Sequence, residues 1–103
     1  MKNIAIIDIG SNSIKLVLTE VKKNHSFKIV DELKETVRLG EGMTESSKMK
    51  EERIEKALQT LRMFTNLCEA TGTHDIIAVA TAAVREANNQ KYFLDRVQNE
   101  IGL

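Results

Sequence analysis

Asp8, Ser11, Asn12 and Ser13 fall together at the end of an apolar run, in the stretch "AIIDIGSNSIKLVL" that spans residues 5–18. One carboxylate, two hydroxyls and an amide are thus directed out of a buried segment, through a turn that contains Gly10. Successive backbone N–H groups in such a turn form a concave anion site, and a carboxylate beside it can hold a divalent cation. These residue types suit the binding of phosphate together with Mg2+. Asp8 is the expected metal ligand, while Ser11, Asn12 and Ser13 offer N–H, hydroxyl and amide donors to phosphate oxygens. Gly10 permits close backbone approach or a positive φ. The competing reading is structural: Asp8 ends a strand, and the serines and asparagine are turn formers.

The elements that must position these groups follow from hydrophobic periodicity. Residues 3–8, "NIAIID", are nearly continuous in Ile and Ala, which predicts a short strand buried on both faces. Residues 14–21 alternate, with Ile14, Leu16 and Leu18 on one side and Lys15, Val17, Thr19 and Val21 on the other. The polar "KKNHS", 22–26, turns the chain back as a hairpin. Phe27, Ile29 and Leu33 begin a third strand, which is expected to reach Leu39 with a bend at "DELKE". Residues 40–49 read as a loop. A helix follows over about 50–71, with Ile54, Leu58, Leu61, Phe64 and Cys68 as its apolar stripe, acidic Glu51 and Glu52 in its first turn, and Gly72 as its stop.

"DIIAVA", 75–80, is a second continuous apolar run, predicted as a central strand parallel to the first. Thr81 is expected to cap a short helix "AAVREA", and Asn88 or Asn89 a last helix. Phe93, Leu94, Val97 and Ile101 are expected to share one face of that helix, and Gly102 to end it. The predicted order is βββαβα: an antiparallel meander that crosses through a helix to a parallel strand, as in the first half of a ribonuclease-H-like sheet. In open α/β sheets, ligands bind beyond the carboxyl ends of neighbouring parallel strands. Asp8 and Thr81 both occupy such ends and should share one crevice.

The "DIGSNSIKLVL" loop resembles the first phosphate loop of the actin, sugar-kinase and Hsp70 superfamily. Its Ser-Asn-Ser form is similar to that of the exopolyphosphatase and guanosine pentaphosphate phosphatase family. "VRLGEGM", 37–43, resembles that family's Arg-Leu-Gly-Glu-Gly segment, and "ATAAVREANN", 80–89, its Ala-Thr-Ser-Ala-Leu-Arg-Asp-Ala-x-Asn segment. The three segments occur in this order, and the resemblance covers the whole chain. Lys15 stands where many members carry Arg, which keeps the charge without the two-pronged geometry. Glu86 stands in place of the usual Asp.

The resemblance implies an α/β, actin-like fold, of which residues 1–103 are the N-terminal part of the first ribonuclease-H-like domain. It also implies a phosphohydrolase that removes a terminal phosphate from inorganic polyphosphate or guanosine pentaphosphate with Mg2+. Asp8 is then the metal site; Gly10, Ser11, Asn12, Ser13, Lys15 and Thr81 bind phosphate; and Arg85 stabilises the transferring phosphoryl group as the catalytic cation. Thr81 reads first as a helix cap, with phosphate contact second. Arg38 and Glu41 read first as residues that order the Arg-Leu-Gly-Glu-Gly loop, with substrate contact second. The family's general base, in a Ser-Gly-x-Glu-Glu-Ala segment, and its second phosphate loop are expected C-terminal to this chain, so no turnover is expected of these residues alone. A homodimer is a further implication. The alternative class is a nucleotide-binding kinase or ATPase, or a non-catalytic phosphate-ligand sensor, of the same superfamily.

Composition sets the remaining bounds. Over 103 residues, 42% apolar and 29% charged content describes one ordinary globular domain. Fifteen basic and fifteen acidic residues cancel, so no global field draws nucleic acid or a membrane surface, and a polyanion must be held locally. A lone cysteine, Cys68, together with no signal-like leader and no long apolar span, is what a cytoplasmic protein shows. Cys68 reads as core. His25 and His74 read as surface residues, with no third ligand at metal spacing. The lysines and glutamates of "KMKEERIEK" read as a solvated helix face.

Overall fold

The computed structural model describes residues 2–103. Strands β1 (Lys2–Ile9), β2 (Ser13–Val21) and β3 (Phe27–Thr36) form the antiparallel meander, and β4 (Asp75–Ala80) adds in parallel beside β1. The sheet order is β3-β2-β1-β4. Helix α2 (Glu51–Ala70) makes the crossover, preceded by a single turn α1 (Met43–Ser46). The chain then runs through α3 (Ala82–Glu86) and α4 (Gln90–Arg96), which continues as a wider turn over Val97–Ile101.

One sheet face carries the core. Ala5, Ile7 and Ile9 of β1 and Ile14, Leu16 and Leu18 of β2 join Ile54, Ala57, Leu58, Leu61, Phe64 and Cys68 of α2 in a single buried cluster. Full burial of a Leu, Ile or Phe side chain stabilises by about 1.5–3 kcal/mol, so this seam dominates the stability of the sheet–helix pair. The predicted α2 stripe is buried throughout, and Ala57 and Thr60 join it. Cys68 is fully buried, and burial pushes its thiol pKa up, so it is an inert core residue. Helix α2 starts without a side-chain cap, its first turn favoured only by Glu51 and Glu52, and it stops at Gly72 with φ +72°.

The expectation that 3–8 is buried on both faces does not hold. Ile6 is 36% exposed, and on the same side Ile77 and Val79 of β4 are 52% and 45% exposed. Among the described residues, helices cover only one face, so a run apolar on both sides has one side open. For the same reason 75–80 is an edge strand here and not a central one. The third strand also differs. It runs straight through "DELKE" and ends at Thr36; Val37 and Leu39 are buried from the following loop instead. The irregularity lies earlier, where the register against β2 slips between Leu18 and Thr19 and leaves Val30 as the extra residue.

The two asparagine and threonine caps are replaced by longer-range bonds. Asn89 occupies the cap position of α4 but makes no cap bond. Its amide accepts from Met49 N–H at 3.0 Å and donates to the Met49 carbonyl at 2.9 Å, which satisfies both backbone groups of a buried residue. Thr81 likewise makes no cap bond and donates to the Ile9 carbonyl at 3.2 Å. Leu94 departs from its expected face. It is 41% exposed at the β4 edge, while Phe93 and Val97 point inward. Residues 40–49 include the α1 turn, bounded by Gly42 and Ser47, both at positive φ.

The "KMKEERIEK" face is not simply solvated. Arg53 pairs with Glu41 at 2.5 Å, and Arg96 joins Glu51, Glu55 and Glu100, tying α4 and the turn after it to the start of α2. Tyr92 donates its hydroxyl to Glu51 at 2.7 Å and lies under the Arg96 guanidinium. Hydrogen bonds from Arg96 hold the Glu55 and Glu100 carboxyls below the usual carboxylate range. Depressed carboxylates contribute stability at pH values above the ordinary glutamate pKa and lose it as pH falls through their folded values. The urea midpoint should therefore drop from about pH 5 downward, and drop less in Arg96→Met. Parallel pH profiles for the two proteins would contradict this. Asn89→Ala should cost about 1–3 kcal/mol, measured by the same titration, because it strands the buried Met49 N–H and C=O.

Candidate functional site

The geometry of the first turn starts with its backbone. Gly10 N–H donates to the Ser13 carbonyl at 3.0 Å, closing the turn between β1 and β2. A Cβ at Gly10 would lie 3.0 Å from that same carbonyl, so glycine is required by close approach. The Asn12 carbonyl accepts from both Val37 N–H (2.9 Å) and Arg38 N–H (2.8 Å), and the Ser11 carbonyl accepts from Gly40 N–H (2.9 Å). With their carbonyls taken on the side of the 37–40 segment, the N–H groups of Ser11 and Asn12 have no partner among the described residues. Both residues are exposed. Two adjacent free N–H groups are the donor pattern of an anion-binding nest.

Asp8 and Ser13 flank that turn. Alternation along the strands puts Asp8, Ser13 and Lys15 on the open sheet face, opposite the buried Ile7, Ile9 and Ile14. Asp8 Oδ1 and Ser13 Oγ are buried and have no hydrogen-bond partner among the described residues. Unpaired buried oxygens cost about 1–3 kcal/mol each, and a bound group that pairs with them removes that cost. Lys15 sits across from Asp8 in register, but its ammonium pairs with Glu32 of β3 at 3.2 Å.

The second segment enters from β4. Thr81 N–H and Thr81 Oγ1 both donate to the Ile9 carbonyl, at 3.0 and 3.2 Å, so Thr81 is fixed against the end of β1. One helical turn on, Arg85 N–H donates to the Thr81 carbonyl at 3.1 Å. The Arg85 side chain is exposed and has no ion pair or hydrogen bond among the described residues. The expected shared location of the two strand ends is thus present: a Cβ on Gly10 would stand 3.8 Å from Thr81 Oγ1.

The third segment was legible as a motif, but its contact was not. At Gly40 a Cβ would meet Ser11 Cβ at 3.3 Å and Ala83 Cβ at 3.6 Å. Gly40 is therefore the point where the 37–43 loop, the first turn and α3 touch. The glycine pair in "RLGEG" was the available signal; which of the two glycines makes the close approach follows from the register of three separate segments. Arg38 N–H donates to the Asn12 carbonyl, and Glu41 is held by Arg53. His25 and His74 are exposed, and no cluster of three metal-ligating side chains occurs among the described residues. No helix there is long and apolar enough to cross a membrane.

Residues 16–103 match the model of the Ppx/GppA phosphatase family. The chain is 38% identical over 103 residues to a bifunctional 3-dehydroquinate synthase/phosphatase of Fusobacterium nucleatum, covering 93% of this chain and 15% of that protein. It is 29% identical over 100 residues to exopolyphosphatase 1 of Mycobacterium tuberculosis, covering 97% of this chain and 29% of that protein. Among solved structures, the Aquifex aeolicus Ppx/GppA family member superposes with TM-score 0.94 at 35% identity, over 99% of this chain and 33% of that one. An exopolyphosphatase from Cytophaga hutchinsonii superposes with TM-score 0.92 at 29% identity, over 99% and 32%. The chain therefore spans a third or less of each of these relatives.

The close approach at Gly40 is testable without any ligand. Gly40→Val should destabilise by about 1–3 kcal/mol, as overpacking does. It should also shift the amide resonances of Ser11, Asn12 and Ala83 while leaving those of α2 in place. Uniform small shifts with unchanged stability would show that the three segments do not meet there.

Proposed function

The chain belongs to the Ppx/GppA phosphatase family, and from that membership we propose a phosphohydrolase that frees the terminal phosphate of a phosphate polyanion. Inorganic polyphosphate is the substrate we favour, since the mycobacterial and Cytophaga relatives are named exopolyphosphatases. Guanosine pentaphosphate is the second substrate of the proposal. The observation that carries the reading is the junction of three segments at one place: the 10–13 turn, Gly40, and Thr81 with Ala83, two residues before Arg85.

Phosphoryl transfer to water depends on charge neutralisation and in-line positioning more than on covalent chemistry. The free N–H groups of Ser11 and Asn12, with the Ser13 hydroxyl, hold phosphate oxygens. Arg85 supplies a guanidinium with no carboxylate partner to the charge that spreads over the transferring group. Thr81 keeps the end of β4 in place through the Ile9 carbonyl, and its phosphate contact in this reading is secondary. Lys15, engaged by Glu32, acts at longer range or after releasing that exposed partner, a pair worth little in water.

The donor set fits Mg2+. This ion is held by one or two carboxylates together with substrate phosphates and water, so a single orphaned carboxylate oxygen beside an anion site suffices. Asp8 would hold the cation. A Mg2+ ion held by Asp8 would supply charge screening between adjacent phosphates and polarisation of their oxygens. The residue that activates water is assigned to the larger part of the protein that the relatives possess and these residues do not include. A cytoplasmic setting and a homodimer complete the proposal; the first is supported by a lone, fully buried cysteine.

In the full-length protein, Asp8→Asn and Arg85→Ala should each reduce phosphate release from polyphosphate by about 100-fold or more. Melting temperatures should stay within a few degrees of the parent's. Chelation should abolish release, and added Mg2+ should restore it. Wild-type rates in both variants would overturn the assignment.

A further inference from the structure

Arg38 has a backbone conformation that needs an explanation. Its φ is +60°, a left-handed value that costs a non-glycine residue about 1–2 kcal/mol. Such strain persists only where the surroundings fix it, and here they do. Arg38 N–H is tied to the Asn12 carbonyl beside Val37 N–H, and Gly40 N–H is tied to the Ser11 carbonyl. Glycine would adopt this conformation freely, so the backbone alone gives no reason for an arginine.

The charge distribution of the loop supplies one. Of the five arginines, Arg53 and Arg96 hold carboxylates, whereas Arg38, Arg85 and Arg62 of α2 have no ion pair among the described residues; of these three, Arg38 is the one whose backbone bonds to the first turn. Glu41, three residues from Arg38, is drawn off by Arg53, so the nearest acidic side chain of the segment is already neutralised. Arg38 is exposed, and its own N–H is bonded to the residue whose N–H is part of the free pair in the turn. The Arg38 backbone is thus fixed beside the turn, and its exposed side chain, unpaired among the described residues, starts from there.

Resting on the phosphohydrolase reading above, we propose that Arg38 is a substrate-binding residue that holds a second phosphate of the polyanion, next to the one bound at the Ser11–Asn12 turn. A guanidinium offers paired N–H donors that match two phosphate oxygens, and it stays charged at any working pH. Its contribution is to binding of the chain and not to the transfer step.

Three variants of the full-length protein test this with tripolyphosphate and Mg2+. Arg38→Gly removes the side chain and relieves the left-handed backbone, so its melting temperature should equal or exceed the parent's. Its KM should nevertheless rise about 10- to 100-fold, with kcat within threefold, as loss of one charge-assisted contact predicts. Arg38→Lys should recover part of the KM, and Arg38→Ala should match Arg38→Gly in KM with lower stability. An unchanged KM in Arg38→Gly, or a loss that appears in kcat instead, overturns the inference. The parent protein measured alongside separates the two levels. If it releases no phosphate from tripolyphosphate with Mg2+, the phosphohydrolase reading itself fails; if it turns over while Arg38→Gly keeps the parent's KM, only the role of Arg38 does.

Discussion

The backbone of residues 9–12 is the constraint on which the rest of the site depends. Its carbonyls are taken from two sides. Ile9 accepts from Thr81, while Ser11 and Asn12 accept from Val37, Arg38 and Gly40. Each bond contributes only about 0.5–1.5 kcal/mol net. Their joint effect is geometric, because they fix which way the peptide units of the turn face. With the carbonyls taken by the flanking segments, the Ser11 and Asn12 N–H groups remain free among the described residues, so the two donors are oriented before any ligand arrives. Preorganisation of this kind avoids a reorganisation cost during binding and reaction.

The sheet makes those bonds possible. Parallel pairing of β4 with β1 runs from Ile4–Asp75 to Ile9–Ala80, so the two strands end level with each other and Thr81 meets Ile9 directly. The antiparallel partner β2 returns the chain from the same end, and β3 delivers Val37–Gly40 beside the turn because Ser13 pairs with Thr36. The core needs no special chemistry to do this. Leu16, Ile7, Ile54, Leu61 and Phe64 are buried together, and the crossover through α2 sets the parallel direction of β4.

Much of this was legible in local pattern. Period-2 alternation over 14–21, the 3.6-residue stripe of α2 and the glycines at 72 and 102 each act over a few residues, and each is found as read. The failures share a different cause. Thr81 and Asn89 are good caps by type, yet their side chains bond to Ile9 and to Met49, the latter forty residues away in sequence. Long-range partners override local preference wherever they satisfy buried backbone groups. "NIAIID" reads as buried on both faces and "DIIAVA" as a central strand because composition records how much apolar surface a strand carries, not which elements stand over or beside it. Within the candidate site, Asp8, Ser13 and Arg85 were visible by type and position. The approach of Gly40 to Ser11 and Ala83 was not, since it depends on three segments whose register only the folded chain sets.

The balance of charge links the fold to its chemistry. A chain with equal numbers of acidic and basic residues attracts no polyanion as a whole. Attraction has to come from how the charges are paired. Glu41 is held by Arg53, and Glu51, Glu55 and Glu100 gather around Arg96, away from the turn. Those ion pairs are partly exposed and contribute little stability individually. Their consequence is to occupy carboxylates that would otherwise compete for the unpaired guanidiniums of Arg38 and Arg85. Near the turn, the one carboxylate left with an unpaired buried oxygen is Asp8, which a cation can neutralise. A chain of zero net charge thereby keeps the guanidiniums of Arg38 and Arg85 unpaired among the described residues.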